Sequence, residues 1–156
     1  MQQMPALPEA EYLVKIGQIA YTVGSIEWLI LGELSALNSE IPSHLSVSQL
    51  AGRSTGQIAG QLTDALAKIN QADVRAFIAE GAAALAAMSE RRNALLHSRP
   101  ATIDGKQRLH RWLPGVAFSI TDDWLAQVIT EGNSWYRRVD SLRSAARSAC
   151  QTPPGA

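Results

Sequence analysis

The sequence predicts an all-α protein, an up-and-down helical bundle built as one domain. Apolar residues recur at helical spacing over several long stretches, helix-start signals precede them, and no repeat with a period of roughly 20 to 50 residues competes with that pattern. The 156 residues are 46% hydrophobic and 18% charged. A chain of this length buries roughly 68 to 70% of its unfolded surface, enough for a core without metal or disulfide staples.

Residues 1–8, with Pro5 and Pro8, read as a flexible arm ahead of a bundle domain at 9–147. The first helix opens at Glu9 and Glu11, where carboxylates complement the free amides of the first turn, and runs to about Leu37. Its inward stripe is Leu13, Ile16, Ala20, Val23, Ile30 or Leu31, and Leu34. Glu27 falls on that stripe, so it is either a boundary residue or a carboxylate paired inside a polar pocket. Asn38 to Ser54, with Pro42 and Gly52, is a connection holding one short turn at Val47 to Ala51.

The second helix spans about Thr55 to Ile69, and Asn70 to Asp73 break and cap the chain before the third. The third runs long, from Val74 to about Ser98, and buries Phe77, Ile78, Gly81, Ala84, Leu85, Met88, Arg92, Leu95 and Leu96. Its alanine-rich turns at 82–87 favour helix and let a neighbouring helix approach, in this chain or in a second subunit. Pro100 ends it, and Asp104-Gly105 marks a short hairpin or ordered loop within 101–114. Thr121 is the N-cap of a last helix reaching about Ala146, with Asp122 and Asp123 in its first turn and a bend expected at Gly132. Residues 148–156, with two prolines, are a flexible tail.

The net charge is zero, yet residues 1–90 hold 4 basic and 9 acidic side chains while residues 91–156 hold 10 and 5. Such a dipole favours antiparallel or head-to-tail contacts, or an anionic ligand near the basic half. Arginine outnumbers lysine 11 to 3, which suits bidentate phosphate or carboxylate contacts. The single cysteine, Cys150, has no partner for an internal disulfide, and no apolar run approaches the 18 or so residues of a membrane span. With no leader pattern either, the expected setting is the cytoplasm, away from membranes. Phosphate-loop, dinucleotide, zinc and nucleophile-elbow motifs are missing, and His44, His97 and His110 are too dispersed to predict a metal or other cofactor.

What stands out is Glu90-Arg91-Arg92-Asn93-Ala94-Leu95-Leu96-His97-Ser98, which puts charge at the end of an inward stripe. An arginine, a polar residue and a histidine after four to six intervening positions, late in a bundle helix, resemble the HEPN superfamily. Arg92, Asn93 and His97 match that pattern, and Arg91 is a second possible start. The motif covers six residues, and the rest of the likeness is a helical pattern.

The resemblance implies a metal-independent endoribonuclease. His97 is then a general acid or base, Arg92 stabilises charge on the scissile phosphate, and Asn93 orients the phosphate or the imidazole. Glu27 holds Arg92 or tunes His97 if it faces the same pocket. Arg91, Arg99, Lys106, Arg108 and Arg111, with His110, form a candidate RNA-facing rim. The resemblance also implies a homodimer, and a toxin or defence effector neutralised by an antitoxin or other protein partner. Five helical steps separate Arg92 from His97 by about 140°. One helix therefore forms a complete site only if its last turn distorts, or if two subunits share a cleft across a two-fold axis.

The structural alternative is an arginine that snorkels or pairs with Glu27, and a histidine that favours a helix C-terminus through the dipole. The protein is then a noncatalytic helical module that binds a protein partner or a nucleotide. Trp28, Trp124 and Trp135 fit core or subunit packing, whereas Trp112, in the connection, is free to cover the cleft or stack on a base.

Overall fold

The computed structural model describes residues 6–151. About 65% of the described residues are helical, in five α-helices, α1 (Ala10–Leu31), α2 (Val47–Leu50), α3 (Thr55–Ala65), α4 (Ala72–Leu96) and α5 (Asp122–Gln151), and a 3-10 turn, Leu66–Lys68, that follows α3. The predicted hairpin forms and acquires a third strand, so β1 (Arg99–Ile103), β2 (Lys106–Arg111) and β3 (Phe118–Ile120) make an antiparallel sheet in the order β1-β2-β3. All-α is therefore correct for the bundle and incomplete for the end that carries the sheet.

Local chemistry sets most boundaries. Ser54 accepts the Gln57 amide while the Gln57 side chain accepts the Ser54 amide, a capping box that starts α3. Gln71 caps α4 through the Val74 amide, and Thr121 caps α5 through the Trp124 amide at 3.1 Å. Asp104 and Gly105 both take positive φ, 51° and 74°, as a two-residue hairpin turn requires.

Two helix ends differ from expectation. Regular α1 stops at Leu31, and Gly32 to Glu40 continue as successive turns that bury Leu34 and Leu37. Those turns carry Glu33, 5% exposed, against α5, where Arg147 donates to it through Nε and, at 2.9 Å, through Nη2. Helix α5 extends through Gln151, so residues 148–151 belong to the bundle and not to a tail. The rest of the predicted tail, and residues 1–5 of the predicted arm, lie outside the described residues.

The core is a single cluster drawn from all the long helices, with Ile120 from β3. Ile30 lies against Gly81, and Gly132 lies against both Thr22 and Met88. These contacts set α4 antiparallel to α1. Thr55 and Gly56 meet Glu27 and Ser89, so α3 also runs against α4, and the long 32–54 connection makes α1 and α3 run in the same sense. The bundle is thus not strictly up-and-down. Gly132 does not interrupt α5; a Cβ there would sit 2.9 Å from Thr22 Cγ2 and 3.0 Å from Met88 Cε, so the glycine permits a three-helix contact where a bend was expected.

The α1 stripe holds at Val23, Ile30, Leu31 and Leu34 and departs from the predicted one in its N-terminal half. Tyr12, Ile19, Val23, Ile26 and Ile30 are buried, whereas Leu13 is 42% exposed and Ala20 is exposed. Tyr12 is drawn inward by hydrogen bonds: its hydroxyl donates to the Ile120 carbonyl at 2.8 Å and accepts the Leu109 amide at 3.0 Å. Leu109 and Ile120 face each other in the β2–β3 ladder, so the phenol stands between the two strands as a bridging rung. Trp28, read as fitting core or subunit packing, is 65% exposed, outside the core, and lines a groove with Tyr21, Gly24 and Tyr136.

Substituting Tyr12→Phe leaves a part-buried amide and a buried carbonyl without their partner. The expected loss is about 1 to 3 kcal/mol, read as a lower urea midpoint with an unchanged slope. An unaltered midpoint rejects the bridging role.

Candidate functional site

The sheet lies at the bundle end where α1 and α5 begin and α4 finishes, so the motif and the basic rim share one neighbourhood. Helix α4 stays regular through Leu96. His97 follows as its C-cap, with φ −97° and ψ 7°, and its amide bonds to the Asn93 carbonyl at 3.0 Å. The His97 side chain is exposed beyond the helix end.

Arg92 points inward as the periodicity predicts. Its Nε is shielded from solvent without a hydrogen-bond partner, and among the described residues the guanidinium joins no ion pair. Glu27 is not its partner. That half-buried carboxylate accepts a hydrogen bond from Thr55, a fully buried residue at the start of α3. The pairing of Glu27 with Arg92 is therefore replaced by a tie between α1 and α3.

Asn93 and Arg91 project away from Arg92 into a cleft of about 390 Å³. Its walls are the last turns of α4, Arg111 at the end of β2, Leu113 and Val116 from the β2–β3 loop, Phe118 of β3, and Trp124 in the first turn of α5. Phe118 and Trp124 form a tilted aromatic pair with centroids 6.1 Å apart. Arg111 has no ion pair or hydrogen bond among the described residues, whereas Arg91 Nε donates to Glu131 at 2.9 Å. The cleft thus offers one unpaired guanidinium, a second shared with a carboxylate, an amide and an aromatic wall. Glu90 adds one acidic group to the rim. Sequence reading isolated Asn93 and Arg111 but not Phe118 and Trp124, which reach the cleft only through tertiary packing.

The remaining predicted rim residues divide. Arg99 is exposed and unpaired among the described residues, and Lys106 is exposed with Glu9 3.8 Å away. Arg108 is 9% exposed and structural. It binds Glu9 at 2.5 Å and Asp122 at 3.0 Å and lies over the Tyr12 ring at 4.5 Å, so it faces the scaffold and not a ligand. Asp122 also accepts from Lys15 at 2.8 Å.

The charge split of the sequence is likewise used within the chain. Glu9, Glu33 and Glu80 from the acidic half pair with Arg108, Arg147 and Arg138 from the basic half. No group of three or more potential metal ligands occurs among the described residues, and no helix among them is long and apolar enough to cross a membrane.

Compared with protein-family models, curated proteins and solved structures, the chain matches none. The HEPN resemblance therefore rests on Arg92, Asn93 and His97 and their place on a helix.

The Arg108 hydrogen bond holds the Glu9 carboxyl below the usual carboxylate range, and the Lys15 hydrogen bond, followed by Lys15 and Arg108 charge, does the same for Asp122. With folded values lowered, their stabilisation is complete above the ordinary carboxylate pKa of about 4 and is lost as pH falls through the folded values. The thermal midpoint is expected to hold between about pH 7 and 5 and to drop below about pH 4. Arg108→Ala lowers the neutral midpoint and flattens that acid limb; an acid limb identical to wild type rejects the assignment.

Proposed function

We propose that this protein is a metal-independent endoribonuclease of HEPN-like character that acts as a homodimer in the cytoplasm, in a toxin or defence role. The observation that carries the reading is the cleft that joins Asn93, from the Arg-polar-His motif, to the unpaired Arg111 and the aromatic pair of Phe118 and Trp124. Guanidinium and amide groups suit phosphate, and an aromatic wall suits a base.

RNA cleavage of this class begins with attack of the ribose 2'-hydroxyl on the adjacent phosphorus. A base removes the hydroxyl proton, the bond to the 5'-oxygen breaks, and an acid protonates that leaving oxygen, producing a cyclic phosphate. Histidine exchanges protons near neutral pH, and arginine stabilises the charge that builds on the phosphorane. By the resemblance His97 and Arg92 supply these groups, with no cofactor required, from beside the cleft and not from its lining.

Because α4 is regular through Leu96, Arg92 and His97 of one copy diverge. Two copies supply two histidines, one as base and one as acid, across a two-fold axis. Glu27 is left out of the chemistry by its bond to Thr55.

A second reading, a noncatalytic module that binds a protein partner such as an antitoxin, is favoured by a separate groove. Tyr21, 79% exposed, and Trp28 border it beside Tyr136 and Arg143. Large apolar side chains gathered on an exposed face are characteristic of partner contacts.

Purified protein is expected to cleave single-stranded or structured RNA in EDTA and to leave cyclic phosphate ends. His97→Ala and Arg92→Ala are each expected to reduce the rate at least about 100-fold while retaining the helical circular dichroism and the dimer mass. Intact RNA across a varied panel rejects the nuclease reading, and Trp28-dependent capture of a partner by inactive protein favours the second.

A further inference from the structure

Side chains alternate along β2, so Arg111 turns toward the cleft while His110 points to the opposite face of the sheet. Trp112 follows two positions after His110 and packs on it, with ring centroids 4.5 Å apart and planes at 59°. His110 is anchored from the other side, its Nδ1 lying 3.1 Å from Ser119 Oγ on β3. Arg99 stands directly opposite His110 in the β1–β2 register, exposed and without an ion pair or hydrogen bond among the described residues.

Trp112 is nevertheless 68% exposed. The indole is braced by a neighbour without being absorbed into the core, which leaves a broad aromatic surface open on the sheet face that also carries Arg99.

A flat ring attached to an anion fits that combination: the ring stacks on the indole and the anion meets the guanidinium. Arg111 on the other face of the same strand extends the positive charge toward the cleft. Stacking requires a base whose face is free. In a duplex both faces are covered by neighbouring pairs, and the protein then reads backbone and 2'-hydroxyls instead.

We propose that Trp112, braced by His110 and sharing its sheet face with Arg99, is a stacking platform for an unpaired nucleobase, which makes single-stranded RNA the preferred ligand of this end of the molecule. The inference rests on the nuclease reading for its choice of RNA, and adds to it a site outside the cleft and a preference between RNA forms.

The test uses the full chain with His97→Ala, so that RNA stays intact, and a fluorescein-labelled 12-nucleotide RNA as single strand or duplex. Anisotropy is expected to show tighter binding of the single strand. Adding Trp112→Ala weakens it about tenfold, Trp112→Phe restores most of the affinity, and duplex binding changes little. A thermal midpoint unchanged by Trp112→Ala confirms that the exposed ring acts on the ligand and not on the fold.

Equal binding with and without the indole, or equal loss for single strand and duplex, overturns the platform. So does Trp112-dependent binding to phosphatidylserine vesicles in place of RNA. If neither RNA form binds, the platform fails; only if wild-type protein also leaves RNA uncut does the failure extend to the nuclease reading.

Discussion

Tyr12 donates its hydroxyl proton to a carbonyl 108 residues away and accepts an amide 97 residues away, and the placement of the whole sheet depends on that exchange. A three-residue strand such as β3 has too few rungs to hold itself in register. The phenol adds one between β2 and β3 and ties both strands to the first turn of α1. Burial raises the phenol pKa, which keeps the proton on the donor. Arg108 covers the ring and gathers Glu9 and Asp122, so the starts of α1 and α5 meet at the same point. The cleft walls from β2, β3 and α5 are positioned by this junction.

The distribution of charge gains a different meaning once the chain is folded. Acidic residues early in the sequence and arginines late in it are not two poles of an external dipole, because Glu9, Glu33 and Glu80 meet Arg108, Arg147 and Arg138 inside one chain. Pairs this exposed on one side contribute modestly to stability, yet they discriminate among helix registers. Of the arginines without an ion pair among the described residues, Arg92, Arg99 and Arg111 lie near the end of α4 and the sheet, whereas Arg53, Arg75 and Arg137 lie elsewhere. Arg92, Arg99 and Arg111 give the candidate site positive charge that no carboxylate of the described residues neutralises.

Local signals made much of this fold legible. The α4 stripe from Phe77 to Leu95, the Asp104-Gly105 turn and the Thr121 cap each depend on residues within a few positions of one another, and each forms as read. The phase of the N-terminal half of α1 was not legible, since Tyr12 and Leu13 are equally plausible inward residues until the distant Leu109 and Ile120 backbone groups are in place. Strand β3 is too short to carry a periodicity, and Arg108 looks like any rim arginine until Glu9 and Asp122 converge on it. For the site, the inward turn of Arg92 followed from helical spacing. The aromatic wall did not, because Phe118 and Trp124 belong to different elements.

Helix α5 is fastened near both ends to the same partner. Asp122 at its start holds Lys15 in the second turn of α1, and Arg147 near its finish holds Glu33 just past the end of α1. At 1.5 Å per residue the 30 residues of α5 span about 45 Å, so the two anchors act like pins at opposite ends of a ruler. Sliding α5 by a single turn would break both anchors at once and drive Gly132 off its seat between Thr22 and Met88. Longitudinal slip between these helices would therefore forfeit two ion pairs and a close-packed glycine contact together, while the span between β2 and β3 is held by neither pin.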